Sequence, residues 1–207
     1  MFITKREVGP LAANCYIIAD EKTKEAAVID PGGDGEQIAG LCKQQGFTLR
    51  YIINTHGHAD HIMGNAALKA ATGAELLVHA ADGARLTSPE LSLAAFVGLQ
   101  AELIPPDRTL TDGEELPLGA LRLKIIHTPG HTAGGISIAV GEALFTGDTL
   151  FNGSIGRTDF PGGSHKELIQ AIKTRLFTYP EDTVVYPGHG PGTTIKAEKE
   201  GNPFVRP

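Results

Sequence analysis

The run Thr55-His56-Gly57-His58-Ala59-Asp60-His61 constrains this chain more than any other stretch, because four side chains able to bind a metal fall within six positions. Chance placement of histidine and aspartate produces such a pattern on the order of once in a thousand chains of this kind. The spacers Gly57 and Ala59 are small. A tight turn can therefore aim His56 and His58 at one centre while Asp60 and His61 swing toward a second. Zinc accepts such nitrogen and oxygen ligands at about 2.0 to 2.2 Å. A solvated loop would give no reason for crowding three imidazoles and a carboxylate together.

Three further ligand candidates follow strand-like apolar runs. Residues 121–126 lead into His127-Thr128-Pro129-Gly130-His131, residues 143–145 into Thr146-Gly147-Asp148, and residues 183–186 into Pro187-Gly188-His189. A histidine after a strand is, taken alone, more often packed or hydrogen-bonded than metal-binding. Repetition of the arrangement beside the 55–61 run reverses that weighting, since strand ends hold side chains on a rigid scaffold.

The rest of the chain reads as alternating strands and helices. Short apolar runs bounded by Gly, Pro, Asn and Asp predict strands at 2–8, 14–19, 25–29, 51–53, 75–78, 121–126, 135–140, 143–145 and 183–186. Helical patterns cover 35–45, stopped by Gly46, and 62–71, stopped by Gly73. A third covers 164–176, where Ser164 caps and Glu167 sits three residues on. A further helix is expected over 89–100. No repeat, low-complexity segment or linker divides the sequence, and 207 residues fit one α/β domain spanning 1–207.

Four motifs together resemble the metallo-β-lactamase superfamily over nearly the full chain: T-H-x-H-x-D-H at 55–61, T-P-G-H-T at 128–132, T-G-D at 146–148 and P-G-H at 187–189. The resemblance implies a four-layer αββα sandwich. It also implies two divalent metal ions, zinc foremost with iron or manganese as alternatives. His56, His58 and His131 would form one site, Asp60, His61 and His189 the other, and Asp148 would bridge them. Water activated by the metals would attack the substrate, with Asp60 or Asp148 orienting it and accepting its proton.

Within that superfamily the chain looks like glyoxalase II-like hydrolases of the short bacterial type, on the stretch G-S-I-G-R-T-D-F-P-G-G at 153–163 and on Asn202-Pro203-Phe204. This implies hydrolysis of a small 2-hydroxyacyl thioester such as lactoylglutathione, with Arg157 as a substrate contact. Asp159 stands where that family carries a tyrosine that helps grip glutathione. The same G-R-T-D-F segment resembles persulfide dioxygenases, which use one iron on this scaffold, and a lactonase or other ester hydrolase is the remaining alternative. Asp148, where the classical lactamases of the best-known antibiotic-degrading branch carry cysteine, argues against β-lactam hydrolysis.

Composition removes other classes. With 18 basic against 24 acidic residues the chain carries a formal charge of -6, which gives no general attraction for nucleic acid or an anionic membrane. No signal-peptide pattern precedes residue 8 and no apolar run is long enough to span a bilayer, so a cytoplasmic protein with a small-molecule thioester substrate is expected. Cys15 and Cys42 are expected to be reduced buried thiols. His79 is read as a hydrogen-bonded structural residue, His127 as a packing or supporting residue, and His165 as exposed at a helix start. Asp30 is read with equal weight as a turn residue or as the acceptor that fixes a ligand imidazole.

Overall fold

The computed structural model describes residues 1–98 and 102–205. Its chain order is β1 (Phe2–Val8), β2 (Ala13–Ala19), β3 (Glu25–Ile29), α1 (Gly35–Gln44), β4 (Thr48–Asn54), α2 (Ala59–Ile62), α3 (Asn65–Thr72) and β5 (Glu75–His79). After a 3-10 segment at Ala80–Thr87 come α4 (Ala94–Val97), β6 (Arg108–Leu110), β7 (Glu115–Leu118), β8 (Leu121–His127), β9 (Ile136–Val140) and β10 (Ala143–Gly147). The chain finishes with β11 (Leu150–Phe151), β12 (Ser154–Ile155), α5 (His165–Ala171), a π turn at Ile172–Leu176, β13 (Val184–Pro187), β14 (Thr193–Thr194) and α6 (Ile195–Gly201).

Two six-stranded sheets result, ordered β1-β2-β3-β4-β5-β6 and β14-β13-β10-β9-β8-β7. Strands β3 to β6 run parallel to one another, and β10 runs parallel to β13. The period-two alternation of a strand assigns each face to its layer. In β2, Tyr16 and Ile18 point into the core between the sheets, while Cys15, Ile17 and Ala19 face the opposite way, into the core shared with Ile38 of α1 and Leu68 of α3. In β10, Ala143 and Phe145 face the first sheet, and Leu144 faces Leu168 of α5 and Ile195 of α6. Three apolar layers therefore separate four structural ones, the αββα sandwich expected from the sequence. Strands buried on both faces account for the near-continuous apolar runs at 14–19 and 135–140.

Three expectations need correction. The helix read over 62–71 is two helices, α2 and α3, broken at Gly64. A Cβ there would lie 2.6 Å from the Pro31 carbonyl oxygen and 2.7 Å from that of Gly33, so the loop after β3 crosses too closely for a side chain. The helix read over 164–176 leaves α-geometry at Ile172, although Ser164 caps it as expected by accepting from the Glu167 N–H. The helix expected over 89–100 is only α4, entered and left through positive-φ backbone at Leu93 and Gly98; positions 99 and 100 lie outside the described residues. The short strands β6 and β7 and the helix α6 were not expected. Cys15 and Cys42 are both buried and unbridged. Among the described residues no helix is long and apolar enough to cross a membrane.

Candidate metal centre

Strand ends of both sheets build the site. Parallel strand β4 delivers Thr55 and His56 at its C-terminal end, and the chain then turns through His58 into α2, whose single turn carries Asp60 and His61. From the second sheet, β10 ends beside Asp148, β13 ends two residues before His189, and the loop after β8 carries His131. All seven sequence candidates meet there. The donor atoms of His56, His58 and His131 lie within 4.8 Å of one another, and so do those of Asp60, His61 and His189. His58 Nδ1 is 2.9 Å from His131 Nε2, and His189 Nε2 is 3.1 Å from Asp60 Oδ2. Asp148 stands between the two triads: its Oδ1 is 3.3 Å from His61 Nε2, and its Oδ2 is 3.7 Å from His131 Nε2 and 3.8 Å from His189 Nε2. Gly188 makes room for this carboxylate, since a Cβ there would sit 2.2 Å from Asp148 Oδ1.

The rings are aimed from behind. Asp30, at the end of β3, accepts three hydrogen bonds: from the Thr55 N–H at 2.7 Å, from the Thr55 hydroxyl at 2.6 Å and from His61 Nδ1 at 3.1 Å. His56 Nδ1 is 3.2 Å from that same Thr55 hydroxyl oxygen, and His131 Nδ1 donates to the Arg157 carbonyl at 2.7 Å. Because a carboxylate and a carbonyl can only accept, His61 and His131 carry their protons on Nδ1 and turn Nε2 toward the centre. His56 Nε2 is buried with no hydrogen-bond partner among the described residues. A buried lone pair without a partner is costly in a finished protein, and an ion held with His58 and His131 satisfies it. The donor set, nitrogen and carboxylate oxygen in two groups of three around one shared carboxylate, fits a pair of divalent ions.

Electrostatics agree with that fit. Burial, reinforced by the surrounding imidazoles, pushes His56 well below the usual histidine range, and burial pushes His58 down to about 3, so both offer lone pairs. Burial opposes charge on His61 too, but Asp148, Asp60 and Asp30 together raise it well above the usual range; the hydrogen bond to Asp60 likewise raises His189 against its burial. Burial would lift Asp60 and Asp148, yet His61 and its neighbours hold both low. The carboxylates that raise His61 and His189 are the same groups that would bind a cation, so protons and a cation would compete for these sites.

Asp82 and Arg85, which hold the loops around the site, carry no motif that marks them. Asp82 is fully buried and accepts from the Gly57 N–H, between His56 and His58, and from the Gly134 N–H, after His131, both at 2.8 Å. Arg85 Nε lies 3.3 Å from Asp82, and its other nitrogens donate to the carbonyls of Leu91 and Pro161. One buried ion pair thus ties four loops together. Gly57 is needed for it, since a Cβ there would meet the Arg85 side chain at 2.4 Å. His79 and His127 take no part in the centre. They stack on each other at 4.2 Å, with His79 Nδ1 accepting from the Ala81 N–H and His127 Nε2 donating to the Ala133 carbonyl, while His165 is exposed.

Residues 8–189 match the sequence profile of the metallo-beta-lactamase superfamily, a span that takes in every residue of both triads. The chain belongs to that superfamily. It is 38% identical over 206 residues to the hydroxyacylglutathione hydrolase GloC of Haemophilus influenzae, covering 96% of this chain and 97% of the relative. Among solved structures it is similar to the BLEG-1 B3 metallo-beta-lactamase (35% identity, TM-score 0.93, 99% of each chain). It is also similar to TTHA1623 in a di-iron-bound form (35% identity, TM-score 0.87, 97% of this chain and 99% of that one).

In this superfamily member the centre opens into a cavity of about 690 Å³, lined by His58, Asp60, His131 and Asp148 at its floor. Arg157 is on the wall, where the resemblance would have it contact substrate. Its guanidinium is committed to a bidentate pair with Asp159, at 2.8 and 2.7 Å, and lies 3.8 Å from the centre of the Phe160 ring. Asp159 is thus the ion-pair partner of the adjacent cation.

Proposed function

We propose that this chain is a dinuclear metal-dependent hydrolase that cleaves small 2-hydroxyacyl thioesters, with lactoylglutathione as the reference substrate. The observation that carries the reading is the convergence of seven side chains from both sheets into two triads that share Asp148. His56, His58 and His131 would hold one ion and Asp60, His61 and His189 the other. Bound there, divalent ions supply a water acidic enough to act as nucleophile near neutral pH and a Lewis acid for the carbonyl oxygen. The protein's share is positional. Asp60, fixed by His189, and Asp148, set among three imidazoles, would orient the water and take its proton. In the balance of the reaction, the water oxygen bonds to the acyl carbon, the carbon–sulfur bond breaks, and the departing thiolate is neutralised by the proton the carboxylate received. A thiolate leaves without strong acid assistance, so the reaction as drawn calls for no separate general acid.

The test is a metal titration combined with a substrate panel of lactoylglutathione, a lactone, a β-lactam and glutathione persulfide. Two ions per chain with thiol release from lactoylglutathione support the reading. One iron per chain with oxygen consumption and sulfite from the persulfide overturns it in favour of a dioxygenase, and turnover of the lactone or β-lactam alone reassigns the substrate class.

A further inference from the structure

We infer that the cavity beside the metal centre is built for an uncharged, apolar thiol arm, and that the preferred substrate is a thioester of an apolar thiol rather than of glutathione. The inference rests on the thioesterase reading above and concerns the part of the substrate that leaves. A 2-hydroxyacyl group at the triads fills only a small fraction of about 690 Å³, a volume that suits a much larger ligand. The apolar part of the remaining wall is made by Leu11, Leu91, Leu93, Phe96, Phe160 and Pro161.

Exposure singles out this rim. Among the described residues six large apolar side chains are exposed, and three of them, Phe96 at 79%, Leu11 at 47% and Leu91 at 45%, stand around this one opening. Scattered exposed apolar residues are ordinary, but a cluster at the mouth of a reactive cleft marks a binding surface. Charge points the same way. Glutathione carries two carboxylates, and the two cations of the wall are already engaged: Arg157 by Asp159, and Arg85 by Asp82 and two backbone carbonyls. Glu90 also lines the cavity, and the chain as a whole is acidic, so an arm bearing two carboxylates against one ammonium is less favoured there than an alkyl or aryl arm that finds apolar contact.

The experiment uses metal-loaded protein and S-lactoyl thioesters of propane-, pentane- and octanethiol beside lactoylglutathione. In parallel, calorimetry follows binding of the non-hydrolysable ketones in which CH2 replaces sulfur. The expected result is a rise in kcat/KM and in ketone affinity of about two- to fourfold per methylene, as for partial to full burial of each group, with the octyl thioester ahead of lactoylglutathione. Phe96→Ser and Leu91→Ser, both at exposed positions of the rim, should flatten that slope; a slope unchanged in both variants would overturn the apolar rim. Turnover that ignores chain length and favours lactoylglutathione overturns the apolar arm while leaving the hydrolase reading intact. Chain-length-dependent ketone binding with no thioester turnover does the reverse: it supports the apolar arm and defeats the hydrolase. Ketone binding that ignores chain length overturns the inference whatever the turnover.

Discussion

Replacing Asp30 with asparagine isolates what orientation behind the ligands contributes. The substitution preserves shape, and the amide oxygen can keep the bond from the Thr55 N–H. The amide NH2 then faces the Thr55 hydroxyl oxygen and His61 Nδ1, which now lie beside a donor instead of an acceptor. His61 can satisfy that donor only by moving its own proton to Nε2, the nitrogen that faces Asp60, Asp148 and His189. A ligand held in the wrong tautomer must be corrected each time an ion binds. Loss of such a supporting carboxylate lowers metal affinity about 10- to 100-fold, or roughly 1.4 to 2.7 kcal/mol. The ion held by His61 should bear most of this loss, and the ion held by His56 a smaller part, transmitted through the shared Thr55 hydroxyl. Competition against a chromophoric chelator resolves the two affinities, and circular dichroism checks that the fold persists. Two affinities both within twofold of the parent would refute the claim that Asp30 sets the tautomer.

Other perturbations test separate joints of the site. Asp148→Ala should reduce occupancy at both positions and His189→Ala mainly at one, as read by metal content after dialysis; equal content in Asp148→Ala and parent would argue against a shared carboxylate. Gly188→Ala should lower metal content by displacing Asp148, whereas Gly46→Ala, where an added Cβ meets nothing within 4 Å, should leave it unchanged apart from the strain of its positive φ. Asp82→Ala strands the buried Arg85, a class of change that costs about 3 to 5 kcal/mol, and chemical denaturation should report a loss of that order; a loss below 1 kcal/mol would show that the four loops hold without the pair. Arg157→Ala should raise KM for lactoylglutathione by no more than about fivefold, the limit for an exposed and already paired charge, with metal content unaltered.

The convergent candidate set was legible because local density and strand-end placement are both written along the chain: His56 to His61 are neighbours, and His131, Asp148 and His189 each follow an apolar run. The four-layer order was legible only through the resemblance, since alternation assigns faces within a strand but not the partner sheet. Asp30 stayed ambiguous in the sequence. A turn residue and an imidazole acceptor look alike until its left-handed backbone and three donors are seen together. Asp82 and Arg85 left no trace because every group they bind, apart from each other, is a backbone amide or carbonyl from a distant loop, and backbone groups carry no sequence signature. Gly64 was read through for a similar reason: the loop that forbids a side chain there comes from 31 and 33.

The division of the ligands between the sheets has a mechanical consequence. Four of the seven side chains, His56, His58, Asp60 and His61, follow a strand of one sheet, and His131, Asp148 and His189 follow strands of the other. At this edge the layers are already pinned by Tyr16 of β2, whose hydroxyl donates to the Pro187 carbonyl at 2.7 Å, and by the Asn14 N–H, which donates to the Gly188 carbonyl at 2.7 Å. Each ion would draw ligands from both halves, so it acts as a rivet through the sandwich. A rivet that binds only the closed arrangement adds about 2.7 kcal/mol to folded stability when free metal is a hundred times its dissociation constant. Chelation should accordingly quicken amide exchange at the ends of β4, β10 and β13 while the opposite edge of the sandwich stays protected.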